Sequence, residues 1–433
     1  MTRKVAFRTL GCRLNQYETD ALASQFHEAG YDIAEFGEAA DVYVVNTCTV
    51  TGESDRKSRN VVSQALRRKK KSVVVVTGCM ATHHRDALEQ AEEITYVVDN
   101  ERKSAIFSLV DSHFRGEILH PHHLHPDLFG YEAAGKTFHT RSLIKIQDGC
   151  DNHCTFCIVP HVRGPAVSRP ITDILKNIRE VCDRGYKEVV LTGVNVGRYA
   201  YEGKNFEDLV ALILDIPGDF RVRISSIEPD GFGTAFFDLL EHPKMTPHLH
   251  LCLQSGSDRI LRRMRRMYTS QSYLKMIQTI RNRIPNFNFT TDIIVGFPGE
   301  TEDDFQRTLE IACDVGFTHI HTFRYSIRKG TRAARMQGMV SEDTKKERSE
   351  AIRHLSVSNK QKYYKAMKGR TQRLLVERFN DGQARGYGEH YIPIVMDSEE
   401  LRVNEFYDVR VEDVIGIDGL IMTAASSTDD DQA

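Results

Sequence analysis

Short apolar segments alternate with helix-forming segments along the first part of the chain. Three strand-like segments end in turn residues, at 5–10, 41–46 and 72–77. The intervening segments 16–30 and 54–71 have helix-forming composition. Alternation of strand and helix at this spacing predicts a parallel sheet with helices on its faces. We therefore expect a doubly wound parallel α/β domain over residues 1–115.

The alternation returns after residue 142. Six strand-like segments follow one another, at 143–147, 188–192, 222–227, 248–254, 287–295 and 319–325. Helix-like segments separate them, among them 171–185, 206–216 and 301–316, and the last begins with Thr301 and three acidic residues, a typical helix start. Six strand–helix units predict a partial (β/α)6 barrel within residues 139–368, which end in a charged helix over 343–368.

Two segments lack this pattern. Residues 116–138 contain glycine, proline and a group of histidines around positions 113–125, and we interpret them as a linker, with a histidine metal site as the alternative. Residues 369–426 have short strand-like runs around glycine turns, which predict a small antiparallel β-barrel. The polar end, 427–433, is expected to be disordered.

Composition excludes several classes of protein. The chain has a formal charge of −2, so its overall electrostatics indicate no particular partner. It has neither an apolar run long enough for a membrane span nor a basic and apolar leader, and we expect a cytoplasmic protein with no membrane partner. Its nine cysteines are an odd number and lack an export signal, which favours metal binding or catalysis over a disulfide framework.

Cys150, Cys154 and Cys157 lie directly after the first predicted barrel strand. Three thiolates this close in sequence can hold three irons of a [4Fe–4S] cluster and leave the fourth iron open for a chelating ligand. A three-cysteine zinc site is the alternative. The carboxyl end of the barrel strands is also where active sites of such barrels gather, which favours the cluster.

Three more cysteines each follow a predicted strand of the first domain: Cys12, Cys48 and Cys79. Because the carboxyl ends of parallel strands share one edge of a sheet, we expect these cysteines to meet and to hold a second [4Fe–4S] cluster. The other three, Cys182, Cys252 and Cys313, fit no such spacing and are expected to be core residues.

The C-x3-C-x2-C spacing, with Phe156 before its third cysteine, resembles the signature of the radical S-adenosylmethionine (SAM) superfamily. Together with the three strand-end cysteines and the small C-terminal barrel, which resembles a TRAM domain, it resembles the methylthiotransferase family over residues 1 to 425. The resemblance implies that the catalytic cysteines Cys150, Cys154 and Cys157 hold the SAM-cleaving cluster. It also implies SAM contacts at the strand ends, namely Phe156, Thr192, Gly193, Asn195, Glu228, Gln254 and Asp292.

Particular stretches are similar to the MtaB branch, whose substrate is N6-threonylcarbamoyladenosine beside the anticodon of tRNA. They are residues 9–18, 46–51, 55–59 and 147–151. The resemblance implies that one SAM methylates a sulfur on the auxiliary cluster and that a deoxyadenosyl radical from a second SAM removes hydrogen from C2 of the adenine. An external electron donor and a sulfur donor are then required. One departure is that Ile327 and Lys329 stand where the family often has prolines.

Three other functions stay open. They are methylthiolation of isopentenyladenosine in tRNA, modification of an aspartate in a ribosomal protein, and a non-enzymatic iron–sulfur scaffold that binds RNA. Candidate phosphate contacts are the basic runs at 67–71 and 262–266, but residues 370–428 carry six arginines, no lysine and eleven acids, or −5. Tyr387 and Tyr391 are candidate RNA contacts there, and Arg163 is a candidate partner for the threonylcarbamoyl carboxylate.

Overall fold

The computed structural model describes residues 2–68, 71–117, 119–131, 140–398, 400–415 and 421–426. Its N-terminal part contains the predicted parallel sheet. Five strands pair in parallel, in the spatial order Asp32–Ala34, Lys4–Thr9, Val42–Thr47, Val73–Gly78 and Tyr96–Val98. The two strands of three residues at the edges were not predicted, because so short a segment shows no period of its own.

Helices cover both faces of this sheet. They are Arg13–Glu28, Gly52–Arg68, Cys79–His83, Arg85–Glu89 and Ile106–Arg115. Every residue of the strands Val42–Thr47 and Val73–Gly78 is buried. Central strands of a parallel sheet have both faces covered, which explains why these segments read as continuous apolar runs.

Six parallel strands form the predicted partial barrel: Arg141–Lys145, Glu188–Thr192, Arg221–Ile224, His248–His250, Asn288–Val295 and His319–Arg324. They form two sheets of three strands, and bridges such as Ile227 to Leu251 join the two halves. The arc is open between its first and last strands. All six strands had been predicted, with differences of a few residues at their ends.

Helices surround the arc: Val159–Arg163, Ile171–Asp183, Phe206–Leu214, Ala235–Leu240, Asp258–Met264, Ser270–Arg283, Glu302–Val315 and Glu342–Met367. The predicted start at Thr301 is confirmed, since its hydroxyl accepts a hydrogen bond from the Asp304 amide and the Asp304 carboxylate accepts one from the Thr301 amide. Cys313 in this helix is exposed, so its prediction as a core residue was wrong. It lies on the outer face of the helix, whereas Ala312 beside it is buried.

The C-terminal strands close into a five-stranded barrel: Thr371–Asn380, Gln383–Tyr387, Pro393–Asp397, Phe406–Ile415 and Ile421–Ser426. Four of its pairings are antiparallel, as predicted. The fifth is parallel, between Ile394–Val395 and Met422–Thr423, and it completes the closure. Two strands were missed, Gln383–Tyr387 and Ile421–Ser426, and in the first of them Gly386 interrupts the apolar pattern.

Residues 119–131 pack against the N-terminal domain. Leu119 and Leu124 contact its hydrophobic core and Tyr131 is buried in it, while His122 lies 3.3 Å from the Glu89 carboxylate. Among the described residues the histidines of this segment do not gather into a group of three metal ligands. Residues 132–139 and 427–433 lie outside the described part of the chain.

None of the helices in the described part of the chain has the length and apolar character to cross a bilayer.

A buried ion cluster holds together the second and third strands of the partial barrel. Glu188 contacts Arg221 at 2.5 Å and Arg223 at 2.7 Å, and all three side chains are almost fully buried. The two guanidinium groups lower the pKa of the Glu188 carboxyl despite its burial. A carboxylate with a lowered pKa in the folded state stabilises that state above its unfolded pKa, and the stabilisation is lost as the pH falls.

We predict that Glu188→Gln destabilises the protein by about 3–5 kcal/mol at neutral pH, because it leaves two arginines buried without their carboxylate. The difference from wild type should shrink as the pH falls below about 4.3, the ordinary pKa of a glutamate. Chemical unfolding at several pH values measures both effects. Glu180, whose side chain is 38% exposed, supplies the matched control, Glu180→Gln, which should change stability by less than about 0.5 kcal/mol. Equal, pH-independent stabilities of the two variants would contradict the prediction.

Candidate active site

The N-terminal sheet brings together the three strand-end cysteines. Cys12, Cys48 and Cys79 follow three strands that are neighbours in the sheet, so they share its carboxyl edge. Cys48 and Cys79 are buried and Cys12 is exposed. Burial, together with negative charge on Cys79 and Cys12, raises the pKa of the Cys48 thiol to about 11. Three thiols that influence one another in this way are a donor set for a cation that replaces their protons.

The turn before Cys12 requires glycine. Gly11 has a φ of +99°, in the left-handed region, and a Cβ there would lie 2.8 Å from Cβ and 2.9 Å from Sγ of Cys48. Glycine therefore allows the first and second cysteine loops to approach each other.

Asn100 connects this edge to the barrel. Its amide Nδ2 lies 3.7 Å from Cys79 Sγ and donates to the Val162 carbonyl at 2.8 Å. Its Oδ1 is buried without a hydrogen-bond partner among the described residues. Asn100 was not predicted, because a single asparagine after a strand of three residues gives no recognisable signal.

The loop of the other three cysteines is fixed by backbone contacts. The Cys150 amide donates to the Gly164 carbonyl at 3.2 Å, and the Cys157 amide donates to the Cys154 carbonyl at 3.0 Å. Thr155 donates twice to helix Asp258–Met264, from its amide to Met264 and from its hydroxyl to Arg263. The spacing of this motif thus becomes a rigid loop at the carboxyl end of the first barrel strand.

Arg266 supports this loop. Its guanidinium donates to Cys154 Sγ at 3.2 Å and forms an ion pair with Glu228, one of the predicted SAM contacts. The side chain of Arg266 is buried. Arg263 of the same run donates a hydrogen bond to the Pro298 carbonyl. The prediction that the run 262–266 faces RNA was therefore wrong for Arg266, since a buried guanidinium paired with a carboxylate cannot contact phosphates. A run of four arginines within five residues gave no sign of this role.

Asn195 lies beside the first cysteine of the loop. Its Nδ2 is 3.9 Å from Cys150 Sγ, and its buried Oδ1 has no hydrogen-bond partner within the described ranges. Gln147 positions this turn, because its Oε1 accepts from the amides of Val194 and Asn195. Thr192 and Gly193 belong to the framework, since the Thr192 carbonyl accepts from Ile146 and a Cβ on Gly193 would lie 2.9 Å from the Gln147 carbonyl.

A cavity of about 160 Å³ lies beside Cys157 at the boundary between the barrel and the N-terminal domain. The barrel contributes Phe156, Cys157, Gln254 and Asp292, and the loop after Cys48 contributes residues 50–51. A larger cleft of about 1030 Å³ lies next to it and shares residues 323–326. Three of the predicted SAM contacts therefore line a space that the N-terminal domain also borders.

Asp292 forms an ion pair inside the barrel. Its carboxylate lies 3.1 Å from His250 Nε2, and the ring of His250 lies next to that of His321, with 5.6 Å between centroids. Hydrogen bonding to His250 and its charge lower the pKa of the Asp292 carboxyl despite its burial. The ligand atoms of His250, Cys252 and Asp292 all lie within 4.8 Å of one another.

A buried charge network joins the two halves of the site. Glu18 from helix Arg13–Glu28 contacts Lys103, Lys145 and Arg163, and Asp148 contacts Lys145 at 2.6 Å and Arg163 at 2.9 Å. Arg163 is buried, so its prediction as the partner of a substrate carboxylate was wrong. Two protein carboxylates already occupy its guanidinium, and it holds the domains together.

The loop that departs from the family pattern forms a second connection. Ile327 and Lys329 are exposed, but Arg328 between them is buried and lies 2.5 Å from the Asp55 carboxylate. The Ser326 hydroxyl accepts from the Gly52 amide at 3.0 Å. Arg328 therefore fixes the position of this loop without the two prolines.

Tyr387 and Tyr391 were predicted to be exposed RNA contacts. They are instead half-buried and pack against the partial barrel. Their rings stack at 5.0 Å, and Tyr391 packs against His248 at 4.8 Å and against the Arg223 guanidinium at 4.6 Å. The C-terminal barrel thus closes one end of the partial barrel with two aromatic rings.

The residues present fit iron–sulfur clusters and SAM. All nine cysteines are free of disulfides, and the six in question form two groups of three. Burial raises the pKa of Cys157 to about 12, as it raises that of Cys48, so each group favours a positively charged ligand over an empty, ionised state. The unpaired Oδ1 of Asn195 is a free acceptor where SAM is expected.

Comparison with known proteins agrees with this geometry. Residues 144–312 match the radical SAM superfamily, and residues 4–99 match the family described as uncharacterized protein family UPF0004. The fold is similar to that of the radical SAM methyltransferase TsrM from Kitasatospora setae, with a TM-score of 0.55, 15% identity and 77% of each chain covered. The fold is thus a mixed α/β fold of the radical SAM class.

Relatives narrow the class. The threonylcarbamoyladenosine tRNA methylthiotransferase MtaB of Thermotoga maritima is 36% identical over 95% of this chain and 94% of its own. The Bacillus subtilis protein of the same name is 35% identical over 94% and 93%. The tRNA-2-methylthio-N(6)-dimethylallyladenosine synthase of Fusobacterium nucleatum is 36% identical over 87% and 88%. The chain therefore belongs to the radical SAM methylthiotransferase family, in its MtaB branch, and it is a transferase.

We predict that Glu18→Gln destabilises the contact between the two cysteine-bearing domains. Lys103 would then be buried without a carboxylate, and Lys145 and Arg163 would share Asp148, at a cost of about 3–5 kcal/mol. Chemical unfolding and limited proteolysis measure the loss. Glu28→Gln, at the exposed end of the same helix, is the matched control. If both variants unfolded and were cleaved like wild type, the network would not hold the domains together.

Proposed function

We propose that this protein inserts a methylthio group at C2 of N6-threonylcarbamoyladenosine beside the anticodon of tRNA. The observation that carries the proposal is one cavity that Cys157 lines from the barrel and that residues 50–51, just after Cys48, line from the N-terminal domain. A substrate in that cavity would be within reach of both groups. The names of the Thermotoga maritima and Bacillus subtilis relatives support the choice of nucleoside.

Two [4Fe–4S] clusters would occupy the cysteine groups. Cys150, Cys154 and Cys157 would hold the catalytic cluster, and Cys12, Cys48 and Cys79 would hold the auxiliary cluster. When bound, the clusters and SAM supply the radical and sulfur chemistry, which no amino-acid side chain provides. The chain itself binds, orients and encloses the reacting groups.

The proposed SAM contacts would divide this work. Asn195 would donate to or accept from the ligand beside Cys150, and Gln254 and Asp292 would face it across the cavity. Glu228 and Arg266 would act as positioning residues, since each is already paired with the other. Phe156 packs edge-on to Phe297, with 6.5 Å between ring centroids, and would exclude water from the cluster loop.

The same proposal assigns the domains. They are an N-terminal methylthiotransferase domain at 1–115, a linker at 116–138, a radical SAM domain at 139–368, a TRAM-like domain at 369–426 and a tail at 427–433. The proposed reaction takes place in the cytoplasm and needs an external electron donor and a sulfur donor. Arg67 and Arg68, exposed at the end of helix Gly52–Arg68, are proposed tRNA phosphate contacts.

Isopentenyladenosine in tRNA is the second candidate substrate. It is favoured by the Fusobacterium nucleatum relative, which matches this chain at an identity similar to that of the MtaB proteins. A protein can distinguish the two nucleosides, because the threonylcarbamoyl group carries a carboxylate and the isopentenyl group is apolar.

We predict that the two cysteine groups separate two activities. Replacing Cys150, Cys154 and Cys157 by alanine should abolish deoxyadenosine formation from SAM under strong reductant. Replacing Cys12, Cys48 and Cys79 should preserve this cleavage but stop methylthio transfer. Each triple variant should contain about four fewer irons per chain than anaerobically reconstituted wild type.

Cys313→Ala is the matched control, because Cys313 is exposed on an outer helix face. It should retain the iron content and both activities. Full iron content in either triple variant would contradict the corresponding cluster. Wild-type protein that binds iron but never forms deoxyadenosine would support a scaffold instead.

We predict a specific change in the tRNA of cells that lack this protein. The methylthio form of threonylcarbamoyladenosine should disappear while threonylcarbamoyladenosine itself persists, because only the final insertion is lost. Mass spectrometry of tRNA nucleosides measures both, and the wild-type gene, but not the Cys12/Cys48/Cys79 variant, should restore the product. Selective loss of methylthio-isopentenyladenosine would favour the second candidate. Unchanged tRNA nucleosides would contradict both and direct attention to a ribosomal protein.

A further inference from the structure

The proposed nucleoside brings a carboxylate into an enclosed site, and any partner assigned to that carboxylate rests on the proposed function. A carboxylate that leaves water needs a charged partner with hydrogen-bond donors. Its partner must therefore be a cation that faces the site and is not already paired.

Most cations around the barrel interior are already paired. Six of them contact protein carboxylates: Arg141, Lys145, Arg163, Arg223, Arg266 and Arg328. Each of these ion pairs is at least partly withdrawn from solvent, and separating one would leave a charge buried alone. None of the six is free to bind a substrate carboxylate at low cost.

Arg13 is different. It follows Cys12 directly and begins helix Arg13–Glu28, and in the described part of the chain it contacts no carboxylate. Its guanidinium donates to the Tyr391 hydroxyl at 3.1 Å and lies 5.8 Å from the centre of that ring. Its side chain is only half-buried, so part of the guanidinium can still accept a ligand.

The guanidinium of Arg13 lies against Tyr391, whose ring packs against His248 in a strand of the partial barrel. Burial lowers the pKa of His248 and of His321, and the charge of Arg13 adds to both effects; the same charge helps to lower the pKa of Tyr391. His321 lies beside His250, and His250 pairs with Asp292, which lines the cavity beside Cys157. Through Tyr391, Arg13 thus connects the first auxiliary cysteine to the barrel strand that carries His250.

We propose that Arg13 binds the carboxylate of the threonylcarbamoyl group and so determines the choice of nucleoside. Arginine suits this role because its planar guanidinium can donate two parallel hydrogen bonds to a carboxylate. Tyr391 of the C-terminal barrel is the positioning residue, since its hydroxyl and ring hold the guanidinium from one side. An apolar isopentenyl group would leave this charge without a partner, which disfavours that substrate.

The rival cation is Arg324. It borders both the small cavity and the larger cleft, is exposed, and has no ion-pair partner among the residues described. An exposed guanidinium gains little from one carboxylate because water screens the interaction. Arg324 is therefore better suited to a tRNA phosphate, and Arg324→Gln serves as the matched control.

Three anticodon stem–loops test the proposal with the reconstituted protein. One carries threonylcarbamoyladenosine, one its methyl ester and one isopentenyladenosine. Binding affinity without SAM and methylthio product with SAM are measured for wild type, Arg13→Gln, Arg13→Lys and Arg324→Gln. Iron content and deoxyadenosine formation show whether each variant keeps its clusters.

Wild type should prefer the acid over the ester by about 10- to 100-fold, the effect expected of one charged hydrogen-bonded pair. In Arg13→Gln, affinity and product yield for the threonylcarbamoyl acid RNA should fall to the values for the methyl ester RNA. The values for the ester RNA and the iron content should stay unchanged. Arg13→Lys should restore part of the preference, and Arg324→Gln should keep all of it while weakening the binding of all three RNAs equally.

An unchanged acid preference in Arg13→Gln, or its loss in Arg324→Gln, would overturn the proposal. Equal weakening of acid and ester by Arg13→Gln would also overturn it, because that is the result of a structural role. If Arg13→Gln loses iron, Arg13→Lys must restore both the iron content and the preference for the acid RNA. An Arg13→Lys variant with full iron content but no preference for the acid RNA would overturn the proposal. Failure of the proposed function looks different, since wild type itself would then modify only the isopentenyladenosine RNA or none.

Discussion

The position of the two cysteine groups depends on a buried charge network between the domains. Three cations, Lys103, Lys145 and Arg163, share two carboxylates, Glu18 and Asp148, which leaves one positive charge in excess. Arg163 faces Cys12 and Cys79, whose negative charge helps to raise its pKa. Buried ions are costly unless every charge is paired, so the network permits one relative position of the two domains. The excess charge then stabilises thiolates at the auxiliary site.

A second pair, Arg328 with Asp55, also crosses the boundary between the domains. Residues of both domains border one cavity at this boundary. A radical enzyme needs such an enclosed site, because a reactive species that meets water or a stray side chain is lost. The C-terminal barrel contributes to the enclosure through Tyr391, which packs against His248 and Arg223 of the partial barrel.

The sequence predicted those parts of the fold that local pattern determines. All six barrel strands were found because each is an apolar run bounded by turns, and the cysteine spacing identified both groups. Contacts between residues far apart in sequence could not be read in this way. Arg163 and Arg266 looked like free surface cations, and only their burial beside Glu18 and Glu228 shows otherwise. Asn100 and Gln147 act through hydrogen bonds to residues distant in sequence, which no pattern in a single sequence reveals.

The central claim is that the two clusters face each other across one cavity. Electron paramagnetic resonance of the fully reduced, reconstituted protein tests it most directly, because magnetic coupling between two paramagnetic clusters falls steeply with distance. We expect a wild-type spectrum that differs from the sum of the spectra of the two triple-cysteine variants. A wild-type spectrum equal to that sum, with both clusters present and reduced, would contradict the claim.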